Sequence, residues 1–143
     1  MSIDRNKQIV RRALDEVFNA GKVEAVDGLY APSFVNHVPP SMGPEIRGID
    51  GVQRNIAVWR AAFPDLRFTL DGEIAEGEMV LSRWTAHGTH CGLLHGIPPS
   101  GREVTVSALE LSRIAGNRIA EQWLLWDTLG LVTELQDTRR NER

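Results

Sequence analysis

The period of the apolar residues changes halfway along the chain. Before Pro64 most apolar residues recur every three or four positions, which is typical of amphipathic helices. After it they alternate with polar residues in stretches separated by short turns, which predicts antiparallel strands. The predicted strands are Leu66–Ile74, Met79–His90, Val104–Ile114 and Arg118–Asp127. Helices followed by consecutive strands predict an α+β domain, with the helices on one face of a strongly curved antiparallel sheet.

The sequence pattern of the N-terminal half of the chain predicts helices and one further strand. Proline and glycine residues mark the ends of these elements, because they stop helices and favour turns. The predicted elements are a helix from Ile9 to Gly21, a short helix from Val23 to Pro32, a strand at Ser33–Val38 and a helix from Ile49 to Pro64.

Size and charge narrow the classes of partner. The chain has 143 residues, and we expect one domain over residues 1–143. Its net charge is −3 with both signs interspersed, so we expect a small-molecule ligand and neither nucleic acid nor a membrane. The lone Cys91 cannot form an internal disulfide, and no signal peptide or apolar span is evident, so we expect a cytoplasmic protein.

The last predicted strand combines apolar, aromatic and acidic residues. Strict alternation places Ile119, Glu121, Trp123, Leu125 and Asp127 on one face. A carboxylate among such neighbours has a raised pKa, which suits proton transfer. Asp127 is therefore the first candidate acid/base. The alternative is that Asp127 caps a helix beginning at Thr128, because Asp is a favoured N-cap residue.

Several short motifs occur in a recognisable order. They are Phe18-Asn19-Ala20-Gly21, Phe34-Val35-Asn36-His37, Phe63-Pro64-Asp65-Leu66, Gly88-Thr89-His90, Ile97-Pro98-Pro99-Ser100-Gly101 and Glu121-x-Trp123-x3-Asp127. Because these motifs occur in this order, the chain resembles the SnoaL-like polyketide cyclases of the nuclear-transport-factor-2-like (NTF2-like) superfamily. The resemblance implies a cone, in which three N-terminal helices close a curved, mostly antiparallel sheet over an apolar pocket. It also implies a homodimer.

The resemblance further implies a reaction. It is an intramolecular aldol condensation on a polyketide or small carbonyl compound, by a lyase or isomerase that uses no metal or organic cofactor. Asp127 would be the acid/base. His37 and His90 occupy motif positions, and each either hydrogen-bonds a substrate oxygen, holds the acid, or has only a structural role.

Aromatic residues and one cation complete the candidate site. Trp84 and Trp123 are expected to wall an aromatic substrate, and Trp59 and Phe63 lie on the third helix's apolar stripe, where they line the pocket or pack in the core. Arg83 is a candidate pocket cation or partner for an acid. The roles of Glu121, His87 and His95 stay open. His87, His90, Cys91 and His95 cluster in sequence, but their spacing does not match a zinc site, and alternation puts His87 and His90 on opposite strand faces.

Other functions within the superfamily remain as alternatives. Epoxide hydrolases of this superfamily carry an Arg-x-Asp pair where this chain has Arg83-Trp84-Thr85, so the first acid is missing. Ketosteroid isomerases use a Tyr beside their base, and Tyr30 is the one Tyr available here. A third alternative is a non-catalytic ligand-binding or dimerisation module, in which Asp127 and the histidines are structural.

Overall fold

The computed structural model describes residues 2–40, 43–94 and 96–136 of the chain. The helices are α1 (Ile3–Arg12), α2 (Val26–Leu29), α3 (Gly48–Ala62) and α4 (Thr128–Gln136). A π-helical segment, Ala13–Asn19, continues α1, and a 3₁₀ turn, Val23–Ala25, precedes α2. The strands are β1 (Tyr30–His37), β2 (Ile46–Arg47), β3 (Arg67–Glu76), β4 (Met79–Thr89), β5 (Glu103–Ala115) and β6 (Arg118–Trp126).

The six strands form one curved sheet in the order β2-β1-β6-β5-β4-β3. Strands β3 to β6 form an antiparallel meander, whereas β1 pairs with β6 in parallel. Gly116 and Asn117 both have positive φ at the tight β5–β6 turn, a conformation that Gly and Asn adopt at low cost. The α+β fold class and the four strands predicted for the second half are confirmed.

Two apolar cores lie on the concave face of the sheet. The first packs α1, α2 and α3 onto the sheet around buried residues such as Val17, Tyr30 and Phe34. The second lies under α4, where Leu131 and Leu135 contact a cluster that includes Phe63. Burial of these side chains is the main favourable term of folding, at roughly 1.5–3 kcal/mol for each large apolar residue.

The π-helical segment is held firmly at its C-terminal end. Asn19 binds both backbone polar groups of Phe68 on β3, with Nδ2 donating to the carbonyl at 3.0 Å and Oδ1 accepting from N–H at 2.7 Å. The guanidinium of Arg60 donates to the carbonyls of Phe18 and Asn19. These bonds satisfy carbonyls that a helix end leaves free, and they fix the segment against the sheet.

The first half differs from its prediction in two places. Strand β1 begins at Tyr30 and runs through Pro32, where the sequence predicted the strand to start only at Ser33. Pairing of β1 with β6 is irregular between Tyr30 and Val35, so the missing N–H of Pro32 interrupts no regular ladder there. The two-residue strand β2 was not predicted, because so short a segment carries no periodic signal.

Candidate active site

A narrow cavity lies between the helices and the concave face of the sheet. About 330 Å³ of space free of atoms lies within it and in the open solvent at its mouth. Its walls are mostly apolar, with a few polar side chains from β1, β4, β5 and β6. The lining residues are Val10, Ala13, Leu14, Phe18, Tyr30, Leu70, Ser82, Trp84, Glu110, Ile119 and Gln122. An apolar cavity with a few convergent polar groups is the usual form of a small-molecule site.

Glu110 is the one carboxylate among the described residues that line this cavity. It follows Val104, Val106 and Ala108 along the inward-facing positions of β5. Burial raises the pKa of the Glu110 carboxyl group to about 7, although hydrogen bonds from Asn36, Trp84 and Gln122 oppose this shift. The carboxyl group is therefore about half ionised near neutral pH, which suits it to both accept and return a proton.

The side chains around Glu110 are buried and fixed. Asn36 on β1 and Gln122 on β6 are 6% and 4% exposed and lie in register with each other. Nε2 of Gln122 also donates to Oγ of Ser112 at 2.8 Å. Burial and the nearby charge of Glu110 raise the pKa of the Tyr30 phenol, so this hydroxyl stays protonated and can donate a hydrogen bond.

Asp127 lies outside this cavity, at the N-terminus of α4. Its Oδ1 accepts from the N–H of Gly130 at 2.8 Å, and its carbonyl accepts from the N–H of Leu131 at 3.1 Å. This is the N-cap arrangement that the sequence offered as the alternative. The side chain is exposed to solvent. The acid/base role of Asp127 therefore stays a prediction. The desolvated environment expected for Asp127 is found instead at Glu110.

The prediction that strict alternation keeps Ile119, Trp123 and Leu125 on one face of β6 is wrong. A bulge shifts the β5–β6 register between Arg113 and Ile114, so strict alternation fails along β6. Ile119 is buried on the concave face, but Trp123 and Leu125 are exposed on the opposite, convex face. The inward positions after the bulge begin with Gln122. Strand alternation predicts a face correctly only while the pairing is regular.

His37 lies on the convex side, between two carboxylates. Nδ1 is 2.5 Å from Oε2 of Glu45, Nε2 is 2.6 Å from Oε2 of Glu121, and the ring stacks on Trp123. Because carboxylates only accept, both bonds require a doubly protonated ring. Hydrogen bonds to Glu121 and Glu45 accordingly raise the pKa of His37, and the same bonds lower the pKa of both carboxyl groups. His37 therefore joins the segment before β2 to β6, away from the cavity.

His90 is fully buried at the end of β4 but does not line the cavity. Its Nδ1 is 3.0 Å from Oγ of Ser100, and its ring lies 5.5 Å from the ring of Phe63. These contacts place His90 in the second core. These contacts agree with a structural role for His90. A direct role of His90 in catalysis stays a prediction.

The other predicted pocket residues divide between three locations. Trp84 lines the cavity and packs edge-on against Phe68. Trp59 and Phe63 stack on each other beside Trp126 in the second core. Trp123 and Arg83 lie on the exposed convex side. Of these residues, the structure therefore brings Trp84 to the candidate site.

The predicted separation of His87 and His90 is confirmed. His87 contacts Oγ1 of Thr105 at 3.2 Å on the convex side, whereas His90 points inward. His95 lies outside the described residues. Within residues 2–40, 43–94 and 96–136, no three or more His, Cys, Asp or Glu side chains converge as metal ligands would. The described helices include none that is long and apolar enough to span a membrane.

Sequence reasoning missed Glu110, although a signal for it exists. In the stretch Val104-Thr105-Val106-Ser107-Ala108-Leu109-Glu110, every second residue up to Ala108 is small and apolar, and the series then reaches a glutamate. An acid in the inward series of a strand is costly to bury, so it marks a candidate functional group. The signal is ambiguous in sequence, because Leu109 and Leu111 place apolar residues on the opposite face of β5, on either side of Glu110.

Comparison with known proteins identifies the family. The sequence profile described as SnoaL-like polyketide cyclase matches residues 8–135. The chain belongs to the SnoaL-like polyketide cyclase family. This SnoaL-like protein is 27% identical over 128 residues to aklanonic acid methyl ester cyclase DnrD of Streptomyces peucetius, and the match covers 89% of this chain and 88% of DnrD.

Solved structures share the fold of this SnoaL-like protein closely. A candidate SnoaL-like polyketide cyclase from Jannaschia sp. CCS1 matches with a TM-score of 0.86 and 25% identity, covering 96% of each chain. A candidate polyketide cyclase from Acidithiobacillus ferrooxidans matches with a TM-score of 0.81 and 32% identity, covering 95% of this chain and 98% of that one. The predicted NTF2-like architecture is thereby confirmed.

Proposed function

We propose that this protein is a polyketide-cyclase-like enzyme, and that Glu110 is its acid/base. The single observation that carries the proposal is a carboxyl group with a pKa of about 7 in an apolar cavity. Membership of the family and the curated cyclases among the relatives support the reaction class. The proposed substrate is a small, apolar, polyketide-like carbonyl compound.

The proposed reaction is an intramolecular aldol condensation. The Glu110 carboxylate takes a proton from a carbon next to a carbonyl group, and the electron pair of the broken C–H bond forms an enolate. The enolate carbon then attacks a second carbonyl carbon of the same molecule, and protonated Glu110 returns its proton to the new alkoxide oxygen. Acid/base catalysis of this kind contributes roughly 10²- to 10⁴-fold to the rate. Folding the substrate so that the two carbons meet contributes about 7 kcal/mol or more.

The cavity favours a neutral substrate. Among the described residues that line it there is no Lys, Arg or His, so a substrate anion has no counter-ion there. The aromatic rings of Phe18 and Trp84 present flat apolar surfaces suited to a ring system. Neutral donors must therefore stabilise the enolate oxygen.

The first test of this function is proton exchange by the wild-type protein. We expect it to accelerate exchange of the α-protons of 2-tetralone, a neutral bicyclic ketone, for deuterium in D₂O, followed by proton NMR. The rate should rise with pH through about 7, as Glu110 ionises. Binding of 2-tetralone without any acceleration would contradict catalysis and favour the ligand-binding alternative.

We also propose that the protein is a homodimer built through the convex face of the sheet. Leu109, Trp123 and Leu125 are 48%, 37% and 62% exposed there, and Leu109 lies opposite Leu125 in the β5–β6 register. Adjacent exposed apolar residues on a sheet mark a protein contact more often than isolated ones do. The family resemblance implies a homodimer without specifying its interface, and the exposed apolar residues favour this face.

The dimer is tested by placing a charge on that face. Light scattering should give a dimer for the wild type and a monomer for Leu125→Arg, because the new charge would be buried without a partner. Leu129→Arg is the matched control, since Leu129 is 77% exposed on α4. A wild-type monomer, or a dimer that survives Leu125→Arg unchanged, would contradict the proposal.

A further inference from the structure

The hydroxyl group of Ser82 is buried without a partner. Ser82 is 1% exposed, and its Oγ makes no hydrogen bond within the described chain. Leaving a buried hydroxyl unpaired costs about 1–3 kcal/mol, and nearly all buried polar groups in proteins are paired. Ser112, the other buried serine on the same face, follows that rule by accepting from Gln122. The unpaired state of Ser82 therefore requires an explanation.

Ser82 lies directly beside the proposed base. In the β4–β5 ladder Ser82 is the register partner of Glu110, and both residues line the cavity. Residues opposite each other in an antiparallel pair point to the same side, with Cβ atoms about 5 Å apart. The fold thus presents an O–H donor and a carboxylate side by side toward the same cavity.

This pair matches the needs of enolate formation. When a base removes an α-proton, negative charge develops on the carbonyl oxygen, two bonds from the carbon that loses the proton. A donor fixed at that oxygen stabilises the charge without reorganisation, and such donors are among the largest catalytic contributions. Trp84 and Gln122 already donate to Glu110, so the hydroxyl groups of Tyr30 and Ser82 are the remaining donors of the lining. Ser82 is the one directly opposite Glu110 in the β4–β5 ladder.

We propose that Ser82 is a second catalytic residue, whose hydroxyl donates a hydrogen bond to the substrate carbonyl oxygen while Glu110 takes the α-proton. This inference rests on the proposed function and specifies its substrate class, a neutral ketone whose carbonyl oxygen becomes an enolate oxygen. The C–H bond breaks, the proton moves to the Glu110 carboxylate, and the electron pair is delocalised onto the oxygen held by Ser82. No oxidant, reductant or co-reactant is needed.

The test uses a binding probe, so that it does not depend on turnover. The probe is 2-naphthol, whose oxygen sits on a flat apolar ring system as an enolate oxygen would. Calorimetry should show binding to the wild type and about tenfold weaker binding to Ser82→Ala, because one hydrogen bond is lost. Ser82→Cys, which keeps the size with a weaker donor, should fall between them. Ser107→Ala is the control, because Ser107 lies on β5 with its side chain exposed.

A second readout separates catalysis from packing. The rate of 2-tetralone exchange should fall about 10²-fold or more in Ser82→Ala, with its pH midpoint still set by Glu110. Equal naphthol affinity in the wild type, Ser82→Ala and Ser107→Ala would overturn the role of Ser82 while leaving Glu110 as the base. Absence of naphthol binding to the wild type would also overturn it. A flat pH profile in the wild type would instead count against the proposed function itself.

Discussion

Replacing Glu110 with glutamine should lower the rate of 2-tetralone exchange by about 10²- to 10⁴-fold, the usual contribution of a positioned acid/base. Glutamine has nearly the same shape, and its amide oxygen can still accept two of the hydrogen bonds that Asn36, Trp84 and Gln122 donate to Glu110, so the cavity should stay intact. It cannot take a proton near neutral pH. The residual rate should therefore lose the rise with pH that the wild type shows through about 7. Initial rates from pH 5 to 9 in both proteins measure this.

Two further variants decide which carboxylate acts. Glu103→Gln makes the same chemical change on the same strand at an exposed position, and it should exchange like the wild type. Asp127→Asn keeps a good N-cap residue and should also retain activity, since Asp127 caps α4 outside the cavity. Loss of activity in Asp127→Asn with activity retained in Glu110→Gln would reverse the assignment in favour of Asp127.

The same Glu110→Gln change should make the protein more stable at alkaline pH. A glutamate whose pKa is raised from 4.5 to about 7 in the folded state is ionised more easily in the unfolded chain. The unfolded state then binds fewer protons, so the free energy of unfolding falls as pH rises between these two values. The penalty is nearly absent at pH 4 and complete above about pH 7. Removing it should add about 3 kcal/mol at pH 8.

Urea unfolding at pH 4 and pH 8, followed by circular dichroism, measures this difference. Glu103→Gln is again the matched control: it keeps Glu110, so its free energy of unfolding should change between pH 4 and pH 8 as that of the wild type does. A catalytic base that destabilises the fold should show opposite effects when it is removed: activity should fall and stability should rise. A glutamine variant that is less stable than the wild type at pH 8 would show that the charged carboxylate supports the fold.

The elements of this fold were predictable because their signals are local and periodic. The helix ending at Pro64 and the four strands after it follow from apolar spacing and turn residues alone. The parallel pairing of β1 with β6 was not predictable in this way, because these strands are far apart in sequence. That pairing brings Asn36 and Gln122 together, so the surroundings of Glu110 depend on contacts that periodicity does not encode.

The site was harder to predict than the fold for a specific reason. The motif ending in Asp127 drew attention to the last strand, and alternation assigned its face correctly at Ile119. The bulge before Glu121 then reversed the assignment for the rest of β6. In contrast, β4 and β5 pair without a shift, and alternation there places Ser82, Trp84 and Glu110 inward. A one-residue irregularity, invisible in the sequence, thus decided which acid lies in the cavity.

As the base, Glu110 must have a desolvated carboxyl group that titrates near neutral pH. The most direct measurement is its titration by carbon-13 NMR of the side-chain carboxyl, assigned through loss of the signal in Glu110→Gln. We expect a midpoint at about pH 7. A midpoint at or below the ordinary value of about 4.5 would mean a solvated carboxylate, and it would contradict Glu110 as the base.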